Sequence, residues 1–187
     1  MPAGRFVRET LLRRLADELG NPDLVPLHRI DRGTAGVVMF SAHPSTRNAY
    51  QTLFRDRAID KRYEALASPL PDLQFPMIRR SRIVKGEPFF RMHEVAGPAN
   101  SESSIEVIAR HDLHWKYALA PVSGRKHQLR VHMAALGVGI QNDPVYPDLQ
   151  PMADDDFGRP LKLLARSLSF TDQISERRRH FERRLTL

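Results

Sequence analysis

Short segments with β-strand patterning fill the middle and the end of this chain. A further apolar run of strand length covers residues 36–40. Alternating apolar and polar residues, or clustered β-branched and aromatic residues, predict strands at 61–67, 105–109, 115–120, 163–170 and 181–187. Because so many strands are not separated by regularly alternating helices, the pattern favours a mixed or antiparallel sheet over a doubly wound parallel one.

Three helices are predicted among these strands. Thr10 opens a segment with leucines at helical spacing, and Gly20-Asn-Pro22 ends it. Ser45 can cap a second helix, and residues 126–136 predict a third, with a glycine just past its end. We therefore predict an α+β fold, with a mixed, mainly antiparallel sheet and flanking helices in a single domain over residues 1–187.

Three stretches between these elements are predicted to be irregular. Residues 69–101 combine many Pro and Gly with arginines and Lys85, which indicates a basic excursion with at most short strands, able to face RNA. Residues 141–160 are rich in Pro and Asp and predict a loop. The charged residues 175–179 predict a turn between the last two strands.

The charge balance favours an acidic polymer as partner. Lys and Arg total 29 against 22 Asp and Glu, a formal net charge of +7, and such a surface gains affinity for phosphates by releasing counterions. A basic protein without such a partner is the alternative. The absence of cysteine excludes disulfides and favours a reducing compartment, so we expect a cytoplasmic protein. No apolar run approaches the ~18 residues of a membrane span, and the start lacks the pattern of a signal peptide.

One carboxylate, Asp31, lies between Arg29 and Arg32 just before the first apolar run. We expect it to be ionised, because adjacent cations favour the charged form. An ionised carboxylate can act as a nucleophile or stabilise a charge, but it is a poor general acid. A solvated ion pair in a turn is the alternative that the residues alone leave open.

A second basic segment is Gly124-Arg-Lys-His-Gln-Leu-Arg-Val-His132. If the helix begins at Lys126, then Lys126 and Arg130 lie one turn apart on the same face. The positive end of the helix dipole would add to their attraction for an anion. Phosphate binding and a solvated basic face are both open interpretations.

The sequence lacks the patterns of metal and hydrolase chemistry. Two histidine pairs, at 111/114 and 127/132, come without cysteine or the two-histidine motif of zinc proteases, so we expect no metal site. Ser123-Gly124 lacks the flanks of a nucleophile elbow, and no phosphate-binding P-loop is present.

Three segments, in order, resemble motifs of the RluA-type RNA pseudouridine synthases. His28-Arg-Ile-Asp-Arg-x-Thr-x-Gly36 is similar to the HRLDRxTSG motif around the family's catalytic aspartate. Lys61-Arg-Tyr-Glu-Ala65 is similar to the KxYxA strand. The segment from Gly124 to Tyr146 resembles GRxHQIRVHxxxxGxPIxGDPxY, with an Arg-Val-His where the related RsuA-type enzymes have an arginine pair. The resemblance extends from about residue 9 to the C terminus.

The chain departs from the family pattern in three places. Ala35 and Leu164 stand where the family has a serine and a late histidine. The family's first strand, with its K-P-x-G element, is reduced to Pro2-Ala-Gly4. We therefore expect a chain trimmed at its N terminus and without a preceding RNA-binding S4 domain.

The resemblance implies an isomerisation that needs no cofactor, in which uracil is detached from its ribose, turned and rejoined through carbon 5. Asp31 would be the nucleophile, and Arg130 would pair with it and orient it. Tyr63 would lie against the uracil ring and assist removal of the proton at carbon 5. These three side chains are expected to meet in a basic cleft across the middle of the sheet.

The resemblance also implies an RNA partner, ribosomal or transfer RNA, whose target base must be extruded from its stack. Arg29 would occupy the space that the base leaves. Further RNA contacts are assigned to His28, Arg32, Arg125 and Lys126. We expect a monomer, with neither a metal nor a membrane as partner. The alternative function is a catalytically impaired RNA-binding module of the same fold.

Overall fold

The computed structural model describes residues 10–151 and 158–187 of the chain. The first part of the described chain consists of α1 (Leu11–Glu18), β1 (Val25–Pro26), β2 (Ala35–Gly36), β3 (Phe40–Ser41) and α2 (Pro44–Arg55). The middle consists of β4 (Ile59–Ala67), β5 (Met77–Lys85), β6 (Met92–Val95), β7 (Ser101–Arg110) and β8 (Trp115–Pro121). The last part consists of α3 (Gln128–Ala135), β9 (Leu163–Thr171) and β10 (Arg178–Glu182). The predicted remnant Pro2-Ala-Gly4 and residues 152–157 of the predicted loop lie outside the described residues.

A long sheet runs through the described part of the molecule in the order β10-β9-β4-β8-β7-β5-β6, with every neighbouring pair antiparallel. The short strand β2 joins it by pairing with β9 in parallel. β1 and β3 form a separate two-stranded ribbon. The predicted α+β fold with a mixed, mainly antiparallel sheet is confirmed.

The helices α2 and α3 pack against different parts of the sheet. Leu129 and Met133 of α3 belong to the main core, together with Ile105 of β7 and Leu119 of β8. α2 instead inserts Leu53 into a second cluster, whose other buried members are Ile59, Leu168 and Phe170. No helix within 10–151 or 158–187 is both long and apolar enough to span a membrane.

The predicted strand 36–40 is wrong, because two shorter strands replace it. Gly36 has a φ of +115°, which takes the chain out of the extended conformation. Ala35–Gly36 therefore pairs with β9, whereas Phe40–Ser41 pairs with β1. The second helix also begins earlier than predicted: His43, not Ser45, is its N-cap, and Pro44 occupies the first turn, where a missing N–H costs no hydrogen bond.

The predicted irregular character of 69–101 is wrong for its centre, where β5 extends over nine residues and pairs with both β6 and β7. The density of arginine suggested a loop, but residues alternate between the two faces of this strand. The side chain of Arg79 lies on the half-buried face of β5, where Glu94 accepts hydrogen bonds from its guanidinium. Ser81 bonds to Ser101 and His132. A paired charge can therefore occupy a half-buried strand position that an unpaired one would avoid.

The last strand is shifted towards the N terminus relative to the prediction. It covers Arg178–Glu182, so two residues of the predicted turn are in β10. The chain reverses earlier because the carboxylate of Asp172 accepts the backbone N–H groups of Ile174 and Ser175, each at 2.9 Å. An aspartate that bonds to the backbone two residues on is a local turn former.

Candidate active site

A cleft of about 570 Å³ lies between the segment that carries Asp31 and the start of α3. Its lining includes Tyr63 of β4, together with His127 and Arg130 from the start of α3. Several cations also line it, namely Arg29, Arg55, Arg57, Lys61 and Arg125. Asp31, Tyr63 and Arg130 therefore line one basic cleft.

His28 fixes the start of the segment that carries Asp31. The backbone N–H of Met39 donates to its Nε2 at 2.9 Å, so Nδ1 carries the proton and lies 3.3 Å from the carbonyl oxygen of Arg29. The ring stacks on Phe54 of α2, with 4.9 Å between centroids. Burial lowers the pKa of His28 to about 4, so the ring is neutral. Beyond it, the N–H of Thr34 donates to the carbonyl of Asp31 at 3.0 Å and closes a turn.

The start of α3 is fastened to the sheet through Gln128. Its side-chain oxygen accepts hydrogen bonds from the hydroxyl of Ser123 and the N–H of Arg125, and its amide nitrogen donates to Glu102 and Ser103. All four partners precede the helix, and two of them belong to β7. Gln128 therefore sets where the first turn of α3 begins, and with it the position of Arg130 above the cleft.

Arg130 lies between two carboxylates. Its Nε and Nη2 donate to the two carboxylate oxygens of Asp143 at 2.7 and 2.6 Å. Its Nη1 lies 3.5 Å from Oδ2 of Asp31. The side chain of Arg130 is 6% exposed, that of Asp31 16% and that of Asp143 0%. Although burial opposes its charge, the hydrogen bonds and negative charge of Asp143, aided by Asp31, raise the pKa of Arg130 above its ordinary value.

Two further side chains face the other oxygen of Asp31. Nη2 of Arg29 lies 3.9 Å and Nε2 of His127 lies 4.0 Å from Oδ1. Arg29 is half-exposed, so its guanidinium is accessible from the cleft. Asp31 is thus surrounded at 3.5–4.0 Å by two guanidinium groups and an imidazole.

Tyr146 holds His127 in place. Its hydroxyl oxygen accepts the N–H of Met92 at 2.7 Å and lies 2.9 Å from Nδ1 of His127. Burial lowers the pKa of His127 to about 4, although the charge of Asp31 opposes this shift. A neutral imidazole carries a proton on only one of its two nitrogens. We assign the hydroxyl of Tyr146 as the donor to Nδ1, so the imidazole proton is on Nε2, which faces Asp31.

Tyr63 presents a protonated phenol to the cleft. Tyr63 lies on the same face of β4 as Lys61 and Ala65, because side chains two residues apart share a face. The Tyr63 ring therefore lines the same cleft as Asp31. Burial, with a smaller contribution from the negative charge of Asp31, raises the pKa of Tyr63 to about 12. At neutral pH the side chain is therefore an aromatic surface with a hydroxyl group that can donate a hydrogen bond.

The predicted RNA contacts occupy different places. Arg29, Arg125 and His28 line the cleft, but both ring nitrogens of His28 face backbone groups. Arg32 is exposed and is not among the lining residues. Lys126 is wrongly placed in the helix by the prediction, because α3 begins at Gln128 and His127 turns the chain with a φ of +56°. Lys126 lies between Arg125 and His127 in the chain but is not among the lining residues. Partial burial, followed by the charge of Arg29, lowers the pKa of Lys126.

Three residues of the site were not assigned a role from the sequence: His127, Asp143 and Tyr146. All three belong to the segment that resembles the GRxHQ and GDPxY elements, and that resemblance was the available signal. Their contacts join two segments separated by the rest of α3, and spacing alone does not show this. Within the described residues, no group of three or more His, Asp or Glu side chains lies close enough to hold a metal ion.

Chemically, the site offers a carboxylate, two guanidinium groups and a phenol in a cleft lined with cations. A carboxylate that is mostly buried yet open to a cleft can attack an electrophilic carbon. The surrounding cations can bind the phosphates of a strand that presents that carbon.

Comparison with known proteins gives a consistent family. The family model described as RNA pseudouridylate synthase matches residues 3–135. The chain is 30% identical over 153 residues to pseudouridylate synthase RPUSD2 of Mus musculus, covering 78% of this chain and 26% of that protein. It is 31% identical over 142 residues to ribosomal large subunit pseudouridine synthase C of Escherichia coli, covering 73% of this chain and 43% of that protein.

A third relative is the dual-specificity RNA pseudouridine synthase RluA of Haemophilus influenzae, 33% identical over 127 residues, which cover 65% of this chain and 56% of that protein. The chain thus spans between about a quarter and just over half of these three relatives.

The fold is similar to that of a solved structure described as human RNA pseudouridylate synthase domain containing 4. The TM-score is 0.75 at 24% identity, over 98% of this chain and 81% of that one. The structure of human RNA pseudouridylate synthase domain containing 1 gives a TM-score of 0.77 at 22% identity, over 96% and 75% of the two chains.

Proposed function

Because the chain belongs to the RNA pseudouridylate synthase family and its curated relatives are RluA-type enzymes, we propose that it isomerises specific uridines of RNA to pseudouridine, with Asp31 as the nucleophile. The observation that carries this proposal is the position of Asp31. Its carboxylate opens into the basic cleft and lies 3.5 Å from the guanidinium of Arg130.

The proposed reaction begins with attack of an Asp31 oxygen on the target nucleoside, either at the anomeric carbon or at carbon 6 of the ring. The bond between ribose and N1 breaks, the uracil turns, and a bond forms between ribose and carbon 5. If Asp31 is bonded to the anomeric carbon, that bond breaks as the bond to carbon 5 forms; if Asp31 is bonded to carbon 6, that bond breaks last. On both routes carbon 5 loses its proton and N1 gains one. Atoms and electrons balance without an oxidant, a reductant or a cofactor, as expected of an isomerisation.

Arg130 and Tyr63 have separate proposed roles. Arg130 orients Asp31, and its positive charge stabilises the carboxylate when it is released. Tyr63 lies against the uracil ring. Because the pKa of Tyr63 is raised to about 12, its hydroxyl is protonated at neutral pH and acts as a hydrogen-bond donor. Alternatively, the hydroxyl oxygen accepts the proton of carbon 5 while its own proton moves to solvent.

The proposed substrate is ribosomal or transfer RNA. The relatives named for the ribosomal large subunit and for dual specificity support RNA of this kind. Extruding the base costs a few kcal/mol, and cations lining the cleft supply contacts to the distorted strand. Arg29, the cation on the open side of Asp31, would fill the space that the base leaves. Arg125, Lys126 and Arg32 would contact phosphates, whereas His28 would hold the Asp31 segment from behind.

The same proposal covers the setting of the reaction. Residues 1–187 would form one catalytic domain that acts as a monomer, without a metal. Its site of action would be the cytoplasm, since ribosomal and transfer RNA are the proposed substrates.

The test uses ribosomal and transfer RNA transcribed in vitro, which contain no pseudouridine. Purified protein is expected to convert a small number of defined uridines. Asp31→Ala should lower conversion by at least about 10³-fold and leave the dissociation constant for RNA unchanged. The matched control is Asp60→Ala, which removes an exposed aspartate of β4 that pairs with Arg178 of β10 and does not line the cleft.

Two results would contradict the proposal. If Asp31→Ala converts uridine at the wild-type rate, Asp31 is excluded as the nucleophile. Binding of these RNAs without conversion, by this chain and by a version extended at its N terminus, would instead support the impaired RNA-binding module.

A further inference from the structure

The loop that follows α3 contacts both side chains that face Asp31 from the α3 side. Asp143 bonds to Arg130, and Tyr146 bonds to His127. Neither Asp143 nor Tyr146 lines the cleft. Any effect of these two residues on the chemistry must therefore pass through the residues they hold.

We propose that Asp143 and Tyr146 are positioning residues, which orient Arg130 and His127 towards Asp31. Asp143 also prevents the guanidinium of Arg130 from forming short hydrogen bonds to Asp31. This inference rests on the proposed function, since it assigns the loop a part in the chemical step of that reaction.

Asp143 fixes the plane of the Arg130 guanidinium. Two parallel hydrogen bonds, from Nε and Nη2, occupy one edge of the group. Because a guanidinium is planar and rigid, this bidentate contact also fixes the direction of the third nitrogen, Nη1. Nη1 is the atom that lies 3.5 Å from Asp31.

The carboxylate of Asp143 is itself fixed. Its Oδ1 accepts the backbone N–H groups of Val145 and Tyr146 at 2.8 and 3.1 Å, in addition to the bond from Arg130. With its side chain fully buried, Asp143 has no room to follow a moving guanidinium. Local loop geometry is thereby transmitted to Arg130.

Because Asp143 bonds to Arg130, the guanidinium is shared between the carboxylates of Asp143 and Asp31. At 3.5 Å the contact between Arg130 and Asp31 is longer than the 2.7–2.9 Å that is usual for a charge-assisted hydrogen bond. Without Asp143, the guanidinium would be free to turn and form such bonds to Asp31. A carboxylate held by two short hydrogen bonds is a weaker nucleophile, because its lone pairs are engaged.

Tyr146 acts on the opposite oxygen of Asp31. Its hydroxyl is held by the N–H of Met92 and fixes the ring of His127, whose Nε2 faces Oδ1 of Asp31 at 4.0 Å. Its ring also lies under the Arg130 guanidinium, with 5.1 Å from the guanidinium carbon to the ring centroid. The same loop therefore constrains the groups on both sides of the nucleophile.

The test compares three variants under single-turnover conditions, with enzyme in excess over an in vitro ribosomal RNA transcript. Asp143→Asn should lower the rate of conversion about 10²-fold, the cost of misplacing a catalytic group by about 1 Å, and leave RNA affinity unchanged. Tyr146→Phe, which keeps the ring but loses the hydroxyl, should lower the rate about 10-fold, the effect expected of losing one hydrogen bond.

The matched control is Asp172→Asn. Asp172 is also a buried aspartate that accepts two backbone N–H groups and a tyrosine hydroxyl, but it lies in the turn between β9 and β10, away from the cleft. Its replacement should keep the wild-type rate per folded molecule. Equal losses of rate in Asp143→Asn and Asp172→Asn would reduce the role of Asp143 to general stability and overturn the proposal.

Two further measurements separate positioning from other effects. In an Arg130→Lys background, Asp143→Asn should cause little additional loss, because lysine has no planar fork to orient; additive losses would overturn the proposal. In a crystal structure of Asp143→Asn, Arg130 should turn and approach Asp31 to within about 3 Å. An unmoved Arg130 would contradict the inference.

The crystal structure also separates failure of the positioning role from failure of the proposed function. If the wild type converts no RNA, the proposed function fails, whereas the position of Arg130 still decides whether Asp143 orients it. If Asp143→Asn does not fold, Tyr146→Phe decides through its rate alone, with a wild-type rate counting against the proposal.

Discussion

Nη1 of Arg130 lies 3.5 Å from Oδ2 of Asp31, although the arginine comes from α3 and the aspartate from a loop before the long sheet begins. The arginine reaches this position because its other two nitrogens are bonded to Asp143. The charge that faces the nucleophile is therefore set by a third residue.

Arg130→Lys tests whether this geometry matters beyond charge. A lysine keeps the positive charge but cannot bond bidentately to Asp143 and face Asp31 at the same time. We expect single-turnover conversion to fall about 10²–10³-fold, the loss seen when a preorganised donor is removed, with unchanged RNA affinity. Arg166→Lys is the matched control, since Arg166 forms a bidentate pair with Glu64 outside the cleft. A wild-type rate in Arg130→Lys would show that charge alone suffices.

Arg125→Ala tests the phosphate contacts. Arg125 is exposed, lines the cleft and is held by one hydrogen bond from its Nε to the carbonyl of Asn100. Removing one phosphate contact should weaken RNA binding and reduce the slope of log K against log salt by about 0.7–0.9. Arg178→Ala, on the outer strand β10, should leave the slope unchanged. The prediction fails if both variants change the slope equally.

Gly36→Ala tests how the Asp31 segment is attached to the sheet. Gly36 has a φ of +115°, and a Cβ there would lie 2.1 Å from the carbonyl oxygen of Ala165. Backbone strain and overpacking each cost about 1–3 kcal/mol, so we expect the free energy of unfolding to fall by about 2–6 kcal/mol. Urea denaturation measures this change.

The control for that measurement is Gly20→Ala. Gly20 also has a positive φ, of +59°, but no atom lies within 4 Å of its added Cβ. We expect only the conformational cost of about 1–2 kcal/mol. A loss in Gly36→Ala no greater than in Gly20→Ala would mean that the contact with β9 is unimportant.

His132 should make the fold sensitive to acid. It is fully buried, with its Nε2 3.1 Å from the hydroxyls of Ser81 and Ser101. Burial lowers its pKa from 6.5 to about 4, so the unfolded chain takes up the proton first. Its contribution to stability is therefore present above about pH 6.5 and is lost as the pH falls towards 4, by an amount on the order of 3 kcal/mol.

Denaturation at several pH values checks this. His28 and His127 shift in the same direction, so the informative quantity is the difference between wild type and His132→Gln. That difference should shrink as the pH falls from 6.5 to 4. A constant difference for His132→Gln would contradict the prediction.

The sequence by itself determined the fold class and most strands of the sheet, and its resemblance to family motifs indicated three residues that line the cleft. Alternation in β4 and β8 is a local property, because neighbouring side chains point to opposite faces of a strand. The Asp31 and Arg130 segments could be recognised because their residue types are unusual together. Local pattern failed to predict β5, where the half-buried Arg79 is accommodated because the carboxylate of Glu94 accepts hydrogen bonds from its guanidinium.

Only the tertiary structure decided which atoms face Asp31. The contacts of Asp143 with Arg130 and of Tyr146 with His127 join side chains from a helix start and from the loop beyond the helix. Hydrogen bonds depend on distances and angles to within a few tenths of an ångström, and these are set only when the sheet, the helix and the loop have packed together. Sequence spacing could indicate that these residues matter, but their directions come from the packed fold.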